Sequence, residues 1–198
     1  VDALSGLLEQ GPPGSGSFLA LSALTRLGPP GKAAGPRLKA LVEKSGPDPV
    51  QGLSLARAWC SIDPAEGGPP YFRLLLEALE KVKPPPAAGS PFQPFPYYAE
   101  IECAFIAGRP DVLAAAGPHA DRLAARLVAA TPSVAFISTG TRRLLIALGK
   151  PASLPMALAL ARTEDVAAER RWAALLKEQG VTGLKALREG LKASDPEL

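Results

Sequence analysis

Apolar residues recur along this chain at helical spacing, in short runs that glycine and proline separate. From Phe18 to Leu27 an apolar side chain returns every three or four residues, and Gly28, Pro29 and Pro30 follow at once. The same spacing returns over 37–44, where Pro36 suits the first turn of a helix, and again over 49–62. Such spacing predicts amphipathic helices, and the glycine and proline residues mark their ends.

Farther along, the pattern predicts a series of further helices. They cover 72–82, 97–107, 119–130, 134–148, 154–162, 166–179 and 184–192. The stretch DPAEGGPP at 63–70 is interpreted as a turn, because proline breaks helices. The β-branched stretch 134–137 leaves helix and strand both open. The proline-rich segment 83–96, KPPPAAGSPFQPFP, is predicted to be an extended surface loop.

A unit of two helices joined by a proline-containing break repeats along the chain. The clearest copy is ALTRLGPPGKAAGPRLKALVEK at 23–44, with looser copies at 56–82 and 99–130. Short helix pairs cannot bury their apolar faces alone, so repeated pairs are expected to stack into a solenoid. The pairs resemble HEAT repeats of the degenerate bacterial kind, most closely over 17–82.

We therefore predict an all-α fold, a HEAT-like α-solenoid of about four antiparallel helix pairs in a right-handed superhelix. Residues 1–198 are expected to form a single helical-repeat domain, with 1–16 as a flexible N-terminal segment and 83–96 as an inserted loop. The chain starts at Val1 without an initiator methionine, so we expect a mature form or a piece of something longer.

Composition and charge change this interpretation little. Hydrophobic residues make up 47% of the 198 residues, enough for a continuous core, and the net charge is only +3. Cys60 and Cys103 lie in apolar runs and are expected to be buried free thiols. No apolar stretch approaches the length of a membrane span, so we expect a soluble protein without membrane insertion, with a cytoplasmic location weakly favoured.

Catalytic, cofactor-binding and metal-ligating residues are not expected. The segment GPPGSGSF at 11–18 has Ser17 where a phosphate-binding loop has lysine, so we interpret it as a linker ending in a helix cap. His119 is the sole histidine and is interpreted as an ordinary residue at a helix start. Glu100 and Glu102 point in different directions on a helix and are expected to be solvated charges.

Partner binding is the expected function, in the form of a non-enzymatic protein–protein interaction scaffold. The alternatives are a nucleic-acid-binding HEAT-like module with basic residues on its concave face, and an accessory domain of a larger enzyme. The residues expected to contact a partner are Phe92, Phe95, Tyr97, Tyr98, Arg122 and Arg126. Phe92 and Phe95 either anchor a partner or fold back to cover a repeat edge, and the second role is favoured.

Overall fold

The chain is all-α in a computed structural model that describes residues 6, 8, 15–45, 49–81, 97–131 and 139–194. Helix accounts for 89% of those residues and no strand occurs among them, which confirms the predicted all-α class. The α-helices of the described residues are α1 (Ser15–Leu27), α2 (Gly35–Lys44), α3 (Pro49–Ile62), α4 (Pro64–Glu80), α5 (Tyr97–Ala107), α6 (Pro110–Ala115), α7 (Ala120–Ala129), α8 (Thr139–Leu148), α9 (Lys150–Arg162), α10 (Val166–Glu178) and α11 (Val181–Ser194). Short 3₁₀ helices occupy Pro29–Ala34 and Gly117–His119.

The chain folds as two compact units. The first comprises Val1–Ala78 with Ala114–Ala116, and the second comprises Leu79–Leu113 with Gly117–Leu198.

In the first unit, α1 and α2 both pack against α3. Gly28 ends α1 with a φ of 63°, a left-handed conformation that glycine adopts at little cost. The largest fully buried side chains of this unit are Leu24, Leu38, Ile62, Tyr71, Phe72 and Leu75. Trp59 is 6% exposed and Leu75 is 1% exposed, so both side chains belong to the core of this unit.

Helix α4 begins at Pro64, eight residues before the predicted start at Phe72, so the interpretation of 63–70 as a turn is wrong. Proline fits the first helical turn, because N–H groups there have no carbonyl partner within the helix. Pro69 and Pro70 lie inside the helix and deprive the carbonyls of Ala65 and Glu66 of their donors. Both of those residues are exposed, so water can replace the lost hydrogen bonds.

In the second unit, α7 packs against α9, and α9 packs against α10 and α11. Helices α5 and α8 form another close pair. A Cβ atom added at Gly190 of α11 would lie 3.0 Å from the Cβ of Ala157 in α9, so these two helices approach closely. The largest fully buried side chains of this unit are Trp172, Ile106, Leu123, Leu127, Leu144 and Leu145.

The observed start of α1 can be compared with the predicted one. Helix α1 begins at Ser15, so Ser17 lies inside the helix and the interpretation of Ser17 as its cap is wrong. Two predictions concern segments outside the described residues. They are the choice between helix and strand at 134–137 and the loop at 83–96.

Within the described ranges no single helix is long and apolar enough to span a membrane. Helices α8 and α9 together reach that length, but the pair is bent by 117°.

Candidate functional site

The second unit carries an apolar groove between α7, α9 and α10. Its volume is about 630 Å³. The lining residues are Ala125, Val128, Ala129, Pro155, Leu158, Ala159, Arg162, Thr163, Glu164, Asp165 and Trp172. Most of these side chains are apolar, and the polar ones are consecutive in the chain at one end. We call this feature the apolar groove.

Small side chains create the apolar groove. Helix α7 buries Leu123 and Leu127 in the core and presents the alanines Ala125 and Ala129, one turn apart, to the groove. Across the groove, Ala159 of α9 is equally short. Three methyl side chains leave room between helices that longer residues would fill.

The polar end of the apolar groove is formed where α9 passes into α10. Asp165 caps α10, because its carboxylate accepts a hydrogen bond of 2.8 Å from the N–H of Ala167. Its other oxygen lies 4.0 Å from Arg171. The remaining charged side chains at this end are Arg162 and Glu164, and both are exposed.

A second groove, of about 800 Å³, lies between α9 and α11 and is lined by residues of mixed character. We call it the mixed groove; its lining residues are Asp121, Lys150, Pro151, Ser153, Leu154, Pro155, Thr182, Lys185, Ala186 and Glu189. Two lysines and two carboxylates balance its charge. Pro155 has no N–H to donate to the carbonyl of Pro151, so α9 lacks one internal hydrogen bond beside this groove.

The structure describes only part of the set of residues predicted to contact a partner. Phe92 and Phe95 lie outside the described residues, and Tyr97 and Tyr98 begin α5 with side chains outside them. Arg122 and Arg126 are exposed on α7, one turn apart, as a shared helix face requires.

Arg122 and Arg126 both pair with one carboxylate of the same unit. The Oε1 atom of Glu80 lies 3.0 Å from Nη2 of Arg126 and 3.7 Å from Nη2 of Arg122. The pair of arginines is therefore partly neutralised by a residue 46 positions away from Arg126 in the chain.

Glu100 and Glu102 are not the solvated charges that the sequence predicted. Glu102 is 3% exposed. The carboxylate of Glu100 accepts hydrogen bonds from the N–H groups of Gly140, at 2.7 Å, and Thr141, at 3.3 Å. Glu100 of α5 thus caps the N-terminus of α8, where the helix dipole favours a negative charge. The expectation failed because a helix 40 residues away supplies the donors.

The two cysteines are buried free thiols, as predicted. Burial raises the pKa of Cys103 to about 12, and the neighbouring charges of Glu100 and Glu102 act in the same direction, whereas a hydrogen bond with Thr141 opposes them. A thiol with this pKa stays protonated at neutral pH, so Cys103 is a poor nucleophile.

His119 immediately precedes α7, at the helix start where it was predicted. Within the described ranges, no three histidine, cysteine, aspartate or glutamate side chains are grouped so that they could hold a metal ion. The segment 11–18 is described only from Ser15 onward, as the start of α1.

The sequence did not identify the apolar groove. Its walls come from three helices between residues 125 and 172, and no local spacing relates them. The one sequence signal was the alanine content of α7 and α9, and that content is also typical of ordinary helices.

Comparisons with models of protein families, with curated proteins and with solved structures gave no match.

Proposed function

We propose that this protein is a protein–protein interaction scaffold and that the apolar groove receives an apolar segment of its partner. The observation that carries the proposal is a groove of about 630 Å³ walled by alanine, valine, leucine and tryptophan side chains. Clefts that bind ligands in proteins usually measure about 300–1,000 Å³ and are mostly apolar. Contiguous apolar concavities of this kind often mark binding sites.

The shape and chemistry of the apolar groove favour an amphipathic helix as the ligand. A groove between helices accepts the apolar stripe of another helix, with anchors spaced three or four residues apart. Arg162 and Glu164 at the polar end lie where they can orient such a ligand through its own charges. Because alanine lines both walls, the ligand must supply the bulky side chains.

The solenoid is part of the same proposal. Stacked helix pairs place every second helix side by side, and α7, α9 and α11 pack against one another in that order. This order within the second unit is the observation that supports stacking, and we propose a HEAT-like α-solenoid of about four antiparallel pairs in a right-handed superhelix. The ion pairs of Glu80 with Arg122 and Arg126 favour a protein over a nucleic acid as the partner, because they reduce the positive charge on that face.

The test uses peptides selected for binding from a random library, with their affinities measured by fluorescence anisotropy. Ala125→Glu and Ala159→Glu each place a carboxylate in the apolar groove. Burying that charge against an apolar ligand is costly, so each change should weaken binding about tenfold or more. Ala173→Glu is the matched control, because Ala173 is exposed on α10 and does not line the apolar groove.

The expected result is a family of peptides rich in leucine, phenylalanine or tryptophan whose binding responds to both groove variants and not to the control. Melting temperatures of all three variants should match that of the parent chain. Peptides whose affinity is the same for Ala125→Glu, Ala159→Glu and the parent chain would refute the apolar groove as the binding site.

A further inference from the structure

One face of α11 combines exposed aliphatic and basic side chains. Its members are Val181, Leu184, Lys185, Arg188 and Lys192, and we call them the α11 face. Their spacing places all five on one side of a helix. Val181 is 69% exposed and Leu184 is 64% exposed, and their spacing of three residues makes them neighbours on the helix surface. The three cations are exposed as well.

The cations of the α11 face form no ion pair among the residues that the structure describes. Lys185, Arg188 and Lys192 take part in none of the ion pairs found within those ranges. The single acidic residue of α11, Glu189, is one turn beyond Lys185 and lines the mixed groove together with Lys185 and Asp121, so Arg188 and Lys192 are the cations of the face outside that charge-balanced groove. Lys150 lines the same groove as Lys185, so a fourth cation borders the α11 face.

We propose that the α11 face binds the surface of a membrane that contains anionic phospholipids, peripherally and reversibly. A lipid interface satisfies both kinds of side chain on this face at once. Aliphatic side chains enter the boundary between headgroups and acyl chains, and lysine and arginine contact the headgroup phosphates. Helix α11 has 14 residues, or about 21 Å of length, and can lie flat with all five side chains turned toward the lipid.

A nucleic acid fits the α11 face less well. Phosphate contacts account for the three cations but leave Val181 and Leu184 in water, because the nucleic-acid backbone presents a charged, hydrated surface. A lipid surface removes both side chains from water. The aliphatic pair is therefore the feature that distinguishes the two ligands, and the experiment is designed around it.

The experiment measures flotation of the full chain with vesicles. One set contains phosphatidylcholine alone, and the other contains about one third phosphatidylserine, which supplies the negative surface potential. We expect binding to the anionic vesicles at least tenfold stronger than to the neutral ones, and loss of most of it between about 0.05 and 0.5 M salt, because salt screens exposed charges.

Two variants separate the contributions to vesicle binding. The triple change Lys185→Gln, Arg188→Gln and Lys192→Gln should weaken binding about a hundredfold, since each cation near an anionic surface contributes about fivefold. The double change Val181→Ser and Leu184→Ser keeps the charge and should weaken vesicle binding about tenfold, because it removes the apolar contact. Lys177→Gln is the control, as Lys177 is an exposed cation on α10.

Each outcome decides for or against the proposal. Equal binding to neutral and anionic vesicles, or full binding by the triple variant, would overturn it. The α11 face would instead be assigned to nucleic acid by two results together. The triple variant, but not the double variant, would fail to shift duplex DNA in a gel, and the double variant would bind vesicles as well as the parent chain. None of the five residues lines the apolar groove, so failure here leaves the proposed protein-binding function untouched.

Discussion

Asp63 is a buried carboxylate whose charge is balanced by a single cation. Its Oδ2 atom lies 2.9 Å from Nζ of Lys32. The hydrogen bond from Lys32 lowers the pKa of Asp63 below its usual range, against the opposing effect of burial. As the pH falls, the unfolded chain therefore takes up this proton first, so the stabilisation is complete above about pH 4 and is lost as the pH falls below it.

Asp63→Asn tests that linkage. Asp63 also accepts a hydrogen bond of 3.4 Å from the N–H of Glu66 in the first turn of α4. Asparagine caps helices about as well as aspartate, so the variant should keep this cap and lose only the charge. We expect it to melt below the parent chain at pH 6, with the difference in melting temperature shrinking as the pH falls below about 4. A difference that stays constant down to the lowest pH at which both chains fold would contradict the proposed role of the ion pair.

Trp59 is a buried side chain with an unpaired polar atom. Among the described residues its indole Nε1 has no hydrogen-bond partner, and a Cβ atom at Gly35 would lie 3.8 Å from it. Trp59→Ala should lower the free energy of unfolding by about 3–5 kcal/mol, because it removes the ring and leaves a cavity. Trp59→Phe should cost less, because it keeps an aromatic ring in that space while it removes the unpaired N–H.

Urea unfolding followed by circular dichroism measures both tryptophan variants. A Trp59→Ala protein as stable as the parent chain would show that the indole does not pack in the core. A Trp59→Phe protein no more stable than Trp59→Ala would show that a phenyl ring does not replace the packing of the indole.

At the scale of elements, the sequence predicted helices best where glycine or proline lies at the end of an apolar run. Helices α1, α2 and α3 follow the expected spacing, and Gly28 ends the first of them. The prediction for the start of α4 was wrong, because it treated proline as a helix break. Sequence alone does not show that the carbonyls left without donors face water. It also missed the cap of α8, since Glu100 lies on another helix. The apolar groove was not predicted from the sequence for the same reason, because its walls come from helices that are distant in the chain.

The start of α4 also depends on a close approach that only glycine allows. A Cβ atom at Gly67 would lie 2.4 Å from the backbone nitrogen of Cys60 in α3. Backbone atoms cannot rotate away, so Gly67→Ala should lower the free energy of unfolding by about 1–3 kcal/mol or more. Gly117→Ala is the matched control, because an added Cβ there meets no atom within 4 Å.

Thermal unfolding of the two glycine variants compares them directly. The control should melt within a few degrees of the parent chain. Equal melting temperatures for Gly67→Ala and Gly117→Ala would mean that α3 and α4 are not in close contact at this point.

For the whole molecule, the question that bears most on function concerns the proline-rich segment 83–96. The chain enters it just after Glu80, whose carboxylate pairs with Arg122 and Arg126. Those arginines are on the same helix as Ala125 and Ala129 of the apolar groove. Its two phenylalanines, Phe92 and Phe95, are costly to leave in water.

Replacing Phe92 and Phe95 together with serine distinguishes the two roles predicted for them. If they cover apolar surface of this chain, as we expect, the variant should lose about 2 kcal/mol or more of unfolding free energy, because two aromatic side chains lose their burial. If they anchor a partner, stability should stay unchanged, and binding to that partner should weaken. Thermal unfolding of the double variant is the first measurement, because it shows whether stability is lost. A double variant that melts with the parent chain would contradict the packing role and make this segment, together with the apolar groove, the place to look for a ligand.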